Sequence, residues 1–362
     1  MYLRDLGNPA SVKSRYEART AEHWVSAPGI GKSTLARDLP GILSAMYGED
    51  FGYHEEATTT IEAPDVRGFL VPSKDEHGRG ISYFTRPGIL PSEEYLKAHP
   101  RGVYFIDERS QSNLDVQKAL APVILERKFG EHFLPPGWWV ISASNRMEDK
   151  SGVVKPPMHL INRERQLDVE YDLHSAALWW EDNGMHPIGV AFVKHRPGIF
   201  ANHVPAQPTP FCTPRSYTKA MHLLALLAGT DANGNPSMDL PSDAVTQQLI
   251  AGEIGEGTAA ELTSYAKLKE HVPTVDEILA DPKGCKCPDR LDAAYMAVQL
   301  CIHYADNKTV NPLWTYVERL PVELQTSAAK SLIDKAGGIL LNSQALSNWI
   351  ANNKALVIAT NA

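Results

Sequence analysis

Two periods alternate through the first 170 residues. Short apolar or β-branched runs read as strands, and between them apolar residues return every three or four positions, as on one face of a helix. Residues 22–26 form a first short strand, and Leu35, Leu39 and Leu43 at i, i+4 and i+8 predict a helix over 33–47. Thr58, Thr59, Thr60 and Ile61 are β-branched and read as a second strand. Gly102 to Ile106 is a continuous apolar run, the mark of a strand buried on both faces of a parallel sheet. Val116, Leu120, Val123 and Ile124 share one face of a helix over 116–127. Residues 129–133 and 138–141 flank Pro135-Pro136-Gly137 as a hairpin, which feeds another buried strand over 139–143. A short helix over 156–163 and a last strand over 166–171 follow, and residues 1–20 are polar, a short helix or strap.

From residue 172 the pattern is helical. Leu178, Trp179, Ala191 and Phe192 supply apolar faces. Thr213 and Pro214 suit the cap and first position of a helix running to 227, which puts Arg215 in its first turn. The chain loosens over 229–243. Leu291, Tyr295, Val298 and Ile302 then share one helical face, and Leu324, Ala328 and Leu332 another. There is no internal repeat and no low-complexity tract.

The junction of the first strand and first long helix carries chemistry. Ser26-Ala27-Pro28-Gly29-Ile30-Gly31-Lys32-Ser33-Thr34 fits G-x-x-x-x-G-K-[ST] from its second position on. Gly29 and Gly31 let the backbone curl so that N–H groups point inward at phosphate oxygens. Lys32 would reach the β- and γ-phosphates of ATP, and the Ser33 hydroxyl would ligate Mg²⁺. The stretch from Pro28 to Thr34 is therefore the candidate nucleotide cradle, with a chance glycine-rich turn as the bland alternative. The motif opens with Gly where this chain has Ser26, which fits if the local φ is negative. The apolar run ends in Asp107-Glu108, at the strand edge where open α/β sheets bind ligands. In this Walker B pattern Asp107 would hold the Mg²⁺ shell and Glu108 would polarise the attacking water. Asn145, at the tip of the next strand, can hold that water or the γ-phosphate, or simply form the turn.

Residues 64–92 are rich in Gly and Pro, and so long an irregular segment is uncommon unless functional. Within it, residues 65–72 and 80–84 can pair as a hairpin, either a solvated loop or a binding loop.

Composition narrows the partners. The chain has 362 residues, 43% hydrophobic and 22% charged, with a net charge of −8 and a pI of about 5.9. That balance argues against a broad nucleic-acid surface. No apolar run approaches the ~20 residues of a membrane span, and the N-terminal residues lack the apolar stretch of a leader. Four cysteines in so long a chain are no disulfide framework, so the reducing cytoplasm is the expected compartment. Cys285-Lys286-Cys287 could bind metal but has no second pair beside it. Trp138-Trp139 and Trp179-Trp180 read as core rather than as base-stacking platforms.

The order of these features resembles AAA+ ATPases, and more specifically their MoxR branch. The matching stretches are DVRGF at 65–69, RPGILP at 86–91, GVYFIDE at 102–108, DVQKAL at 115–120, LERKFGEHFLPPGWWVISASN at 125–145, INR at 161–163 and TPRSY at 213–217. They span residues 22 to 220; residues 231–362 carry nothing comparable. The resemblance implies that Asn145 is the sensor-1 residue, Arg163 the arginine finger that reaches a neighbouring subunit's nucleotide, and Arg215 the sensor-2 arginine. Glu164 stands where members often have Phe, so Arg165 is an alternative finger. Residues 65–91 and 129–139 resemble two inserts that project toward a central pore. The fold expected is a three-layer α/β/α domain with a five-stranded parallel sheet over 1–171, a helical lid over 172–230 and a helical region over 231–362. The function implied is a Mg²⁺-dependent ATP-hydrolysing ring, a hexamer, that remodels a partner protein, typically of von Willebrand factor A type, without a specific nucleic-acid or membrane contact. A nucleic-acid-stimulated motor or restriction-type ATPase is the rival, and a non-catalytic nucleotide-binding scaffold another, which the intact Glu108 disfavours.

Overall fold

The computed structural model describes residues 1–149, 152–154, 161–200, 205, 208–230, 237–335 and 343–359. It forms two compact units, Met1–Asp172 and Leu173–Ala362.

The first unit is built on a five-stranded sheet of β1 (Glu22–Ser26), β2 (Gly52–Ala57), β5 (Arg101–Asp107), β8 (Gly137–Asn145) and β9 (Arg165–Asp168), in the order β2-β5-β8-β1-β9. Every pairing in it is parallel, as the sequence led us to expect. The apolar run of β5 is sorted by the pleat. Val103 and Phe105 join Trp24, Trp139, Ile141 and Ala143 in a core covered by α1 (Leu3–Gly7), α2 (Pro9–Glu17) and α3 (Lys32–Tyr47). Tyr104 and Ile106 join Trp138 and Val140 in a second core, covered by α4 (Ala63–Arg67), α5 (Glu93–Ala98) and α6 (Leu114–Glu126). Both central strands are thus buried on two faces, which is why they read as unbroken apolar runs. The polar first twenty residues form α1 and α2. Glu22, fully buried in β1, accepts from Arg15 Nη1 at 2.7 Å and Trp24 Nε1 at 3.0 Å on one oxygen, and from Arg165 Nη1 at 3.1 Å on the other.

The structure corrects the second strand. It is Gly52–Ala57, and Thr58–Thr60 is a single 3₁₀ turn. The register explains why: pairing with β5 runs out at Ala57 opposite Asp107. The Thr58 hydroxyl then donates to the Asp107 carbonyl at 3.2 Å, a local bond that competes with extension.

Two small antiparallel hairpins lie outside the sheet. β3 (Leu70–Lys74) pairs with β4 (Gly80–Phe84), as expected for the 65–84 segment. β6 (Lys128–Phe129) pairs with β7 (His132–Phe133), a tighter hairpin than the one expected about Pro135-Pro136-Gly137. Its turn sits on the end of α4. Gly130 has φ 57°, and a Cβ there would lie 2.1 Å from the Arg67 carbonyl oxygen, so only glycine permits the approach. The helix expected over 156–163 lies mostly outside the described residues; Asn162 and Arg163 form a turn leading into β9.

The second unit is helical among the described residues. One core draws on Leu173–Asp182, Pro187–His195, Pro214–Ala228, Ala244–Ile254 and Glu256–Ala266. A second draws on Leu291–His303, Val310–Val317, Val322–Lys335 and Gln344–Asn352. Leu324, Ala328 and Leu332 are all buried in it, as are Val298 and Ile302. Two expectations of burial fail: Trp179 is 44% exposed while its neighbour Trp180 is core, and Leu291 is 56% exposed at the start of its helix. The four cysteines are free. Among the described residues no His, Cys, Asp and Glu side chains gather as a metal site, and no helix is long and apolar enough to cross a membrane.

Candidate active site

The C-terminal ends of β1, β5 and β8 converge on one set of polar side chains. Ser26 closes β1 in register with Asn145, which closes β8. The loop from Ala27 to Gly31 follows, with Gly29 at φ 75° and Gly31 at φ 108°, backbone that other residues rarely adopt. Gly31 caps α3 without any side-chain hydrogen bond, so the first-turn N–H groups of a 16-residue helix keep their capacity to bind an anion. Ile30 is buried and anchors the loop beside Leu39 and Leu43.

Lys32 is buried, and its ammonium donates to the Ser26 hydroxyl at 2.5 Å, the Ala27 carbonyl at 3.3 Å and Asn145 Oδ1 at 3.4 Å. The Ser26 hydroxyl donates in turn to the Ala27 carbonyl at 2.8 Å. Ser26 is the last residue of an extended strand, so the side chain is accommodated without left-handed backbone. Its hydroxyl is a partner for Lys32 that a glycine cannot supply.

The Ser33 hydroxyl donates to Asp107 Oδ2 at 2.6 Å, and the other Asp107 oxygen accepts from the Glu108 N–H at 2.8 Å. Glu108 itself stands at φ 55°, a left-handed conformation that costs a non-glycine residue about 1–2 kcal/mol. Its carboxylate accepts from the Thr59 hydroxyl at 2.7 Å. Sequence reasoning missed Thr59, because its β-branch suggested a strand; the available signal was a polar run directly after the edge strand next to β5. It also missed the Ser26 hydroxyl's contact with Lys32.

Beneath the loop, His23 in β1 is fully buried and its ring Nδ1 lies 2.8 Å from the Ser142 hydroxyl. Ser142 donates its proton to the Glu22 carbonyl, so His23 Nδ1–H is the donor. Burial above all, then the charges of Arg109 and Lys32, hold His23 well below the usual imidazole range. It therefore stays neutral under the cationic loop.

The arginines differ in their surroundings. Arg163 lies exposed in its turn and forms no ion pair among the described residues, whereas Arg165 is engaged by Glu22. Arg215 is exposed in the first turn of Pro214–Ala228, where the Thr213 hydroxyl accepts from Ser216 N at 3.1 Å. Thr34 is exposed beside Ser33, and Pro28 is partly buried.

The donor set fits a magnesium nucleotide. A hydroxyl and a carboxylate within hydrogen-bond distance are hard oxygen ligands of the kind Mg²⁺ takes. An uncapped helix N-terminus and an ammonium group beside them suit phosphate oxygens.

No protein-family model and no curated protein matches the chain. Solved structures similar to it include a mutant RuvB of Thermotoga maritima, at 12% identity over 84% of this chain and 69% of that one, with a TM-score of 0.33. NtrX from Brucella abortus matches at 15% identity over 72% of this chain and 60% of that one, TM-score 0.35. Hsp104 matches at 14% over 71% and 45%, TM-score 0.34. The chain thus spans less than two thirds of the NtrX and Hsp104 chains. Likeness at this level carries no functional argument, and the chemistry rests on the residues of the site.

Proposed function

We propose that this chain is a Mg²⁺-dependent ATPase of AAA+ type, close to the MoxR branch, that assembles as a ring and works on a partner protein. The observation that carries the reading is the Ser33 hydroxyl 2.6 Å from the Asp107 carboxylate, with Lys32 next to Ser33 in the chain and Glu108 next to Asp107. That contact joins residues 26–34 to residues 102–108, which supports reading them as the two halves of one nucleotide site.

Bound MgATP supplies the scissile phosphoryl bond and the divalent charge that offsets its oxygens. The loop N–H groups from Gly29 to Thr34 would bind the phosphates, and Lys32 would turn to them from Ser26, Ala27 and Asn145. Ser33 and Asp107 would hold the metal. Glu108 takes the proton of the attacking water, and the Thr59 hydroxyl orients its carboxylate. Asn145, already beside Lys32, holds the water or the terminal phosphate. Arg163 serves as the finger toward a neighbouring subunit, because Arg165 is occupied by Glu22. Arg215 serves as the lid arginine, with residues 172–230 as the lid.

A protein partner is favoured by the hairpins, and the resemblance to the MoxR branch is what implies one of von Willebrand factor A type. Phe69, Leu70, Ile81, Tyr83 and Phe133 are exposed there, as suits docking a polypeptide. Arg67, Lys74, Arg79 and Arg86 stand against Asp65, Asp75 and Glu76, too even a balance for a phosphate track.

The test is phosphate release and ATP binding by the full chain. Glu108→Gln should bind ATP as tightly as wild type and hydrolyse it about 10²–10⁴-fold more slowly, the usual worth of a general base. Wild type should respond to a co-purifying partner protein and not to DNA at physiological salt. Strong stimulation by DNA with no partner effect would overturn the chaperone reading in favour of a nucleic-acid motor.

A further inference from the structure

Arg109 immediately follows Glu108, and Glu164 immediately follows Arg163. Fifty-five residues apart, their side chains meet. Arg109 Nη1 donates to a Glu164 carboxylate oxygen, with the two side chains 1% and 3% exposed. Among the described residues, Nε and Nη2 of Arg109 are buried without a hydrogen-bond partner and Glu164 is the only carboxylate that pairs with it. Buried pairs of this kind are poor sources of stability, because desolvation of both charges offsets their attraction. An apolar pair would fill the space at least as well.

Their location is what distinguishes them. The turn that begins at Glu108 is held at its backbone by Ser144, whose hydroxyl accepts from Ser110 N at 3.0 Å. Ser144 Oγ also donates to Ser110 Oγ at 2.8 Å, and Arg109 supplies the turn's tether to Glu164. The turn at Asn162 and Arg163 is followed by β9, where Arg165 is fixed to Glu22. The Arg109 side chain therefore runs as a strut from the turn that carries Glu108 to the turn that carries Arg163. Both ends have fixed backbone on their far sides.

We propose that Arg109 and Glu164 are positioning residues that hold Glu108 and Arg163 in one arrangement, so that turnover rather than nucleotide binding depends on their contact. The inference rests on the ATPase reading above. In a ring, Glu108 acts on its own subunit's nucleotide and Arg163 on the neighbour's, and this pair is the physical link between the two within one chain.

Three measurements on the full chain test it: kcat and KM for phosphate release, Kd for a fluorescent ATP analogue, and Tm. Glu164→Gln should lower kcat at least tenfold while Kd changes less than threefold. The doubly apolar variant Arg109→Met with Glu164→Leu separates positioning from packing, since it leaves no unpaired buried charge. Its Tm should return close to wild type while kcat stays at least tenfold down. Recovery of kcat together with Tm would show that the pair only packs and would overturn the inference. So would a folded Glu164→Gln that turns over at the wild-type rate. If Glu164→Gln fails to fold, the double variant decides alone. A wild type that neither binds nor hydrolyses ATP would instead overturn the ATPase reading, and this inference with it.

Discussion

Lys32 in the first unit and Lys194 in the second are both largely buried ammonium groups, and they are held in different ways. Lys194 meets the buried Glu181 carboxylate at 2.9 Å, Gln299 Oε1 at 2.9 Å and the Ser331 hydroxyl at 3.1 Å. Gln299 closes the set by donating to the same Glu181 oxygen at 2.8 Å. One charge staples its own helix to three others, and its partners cannot be exchanged without opening the core. Lys32 reaches a hydroxyl, a carbonyl and an amide oxygen, the last two at 3.3 and 3.4 Å, on a loop over an uncapped helix end. A phosphate can replace such partners at little cost. The Lys194 charge is paired inside the core it helps to build, whereas the three oxygens named around Lys32 are neutral and lie where a phosphate would compete for the ammonium.

The contrast makes predictions of graded size. The largest concerns Arg163, a cation with no ion pair among the described residues. A finger arginine is worth 10³–10⁵ in rate, so Arg163→Ala should bind ATP and hydrolyse it at least about a thousandfold more slowly. Mixing it with Lys32→Ala should restore part of the activity, because each variant supplies what the other lacks at a shared interface. Full specific activity in a dilute, demonstrably monomeric sample would show that the arginine does not act in trans.

Next come the two lysines themselves. Lys194→Met leaves Glu181 buried without its counter-ion and should cost about 3–5 kcal/mol in chemical denaturation, with ATP affinity unchanged. Lys32→Ala should do the reverse, weakening ATP at least tenfold, about 1.4 kcal/mol, with little loss of stability. Should the two phenotypes come out alike, the division between structural and ligand-serving charge fails.

Acid sharpens the comparison further. His186 accepts from Ile188 N on Nδ1 at 3.2 Å and donates from Nε2 to the Ser237 carbonyl at 3.0 Å, so only the neutral ring satisfies both. Burial lowers its pKa to about 4, partly offset by the Ser237 bond. The unfolded chain, near the ordinary value of about 6.5, takes up the proton first as pH falls. Stability from this group is therefore fully present above about pH 6.5 and is lost as pH drops toward 4. His186→Asn keeps an N-cap acceptor and removes the titration, so its denaturation midpoint should fall less steeply across that window. Parallel curves would refute the assignment. The smallest effect belongs to Ser26→Gly, which removes one hydrogen bond to Lys32 and should change ATP affinity by about 1 kcal/mol or less. A larger change by calorimetry would mean that Ser26 does more than hold the lysine.

The parts of the site legible in the sequence are those where backbone geometry or burial demands a residue type. Gly29 and Gly31 are there because of positive φ, and Asp107-Glu108 stand out because they end a strand buried on both faces. Thr59 was not legible, since β-branching favours strand by propensity while the register with β5 ends two residues earlier. The adjacent Trp179 and Trp180 show a different limit. Composition marks both as core, but the phase of the helix, which decides between them, depends on what packs against it. The Arg109–Glu164 contact joins residues far apart in sequence and has no local pattern at all.

The placement of β1 has a consequence for how the protein comes into being. It is the first strand of its sheet to leave the ribosome, yet it lies between β8 and β9, the last two strands of that sheet to be made. At about 5–20 residues per second of synthesis, the nascent strand waits on the order of ten seconds for either neighbour. Until then His23, Trp24 and the loop from Ala27 to Gly31 have no sheet to sit on, and the apolar run of β5 emerges before its neighbour β8. The candidate site is thus assembled late and all at once, and during that interval the chain is most dependent on whatever keeps nascent strands apart.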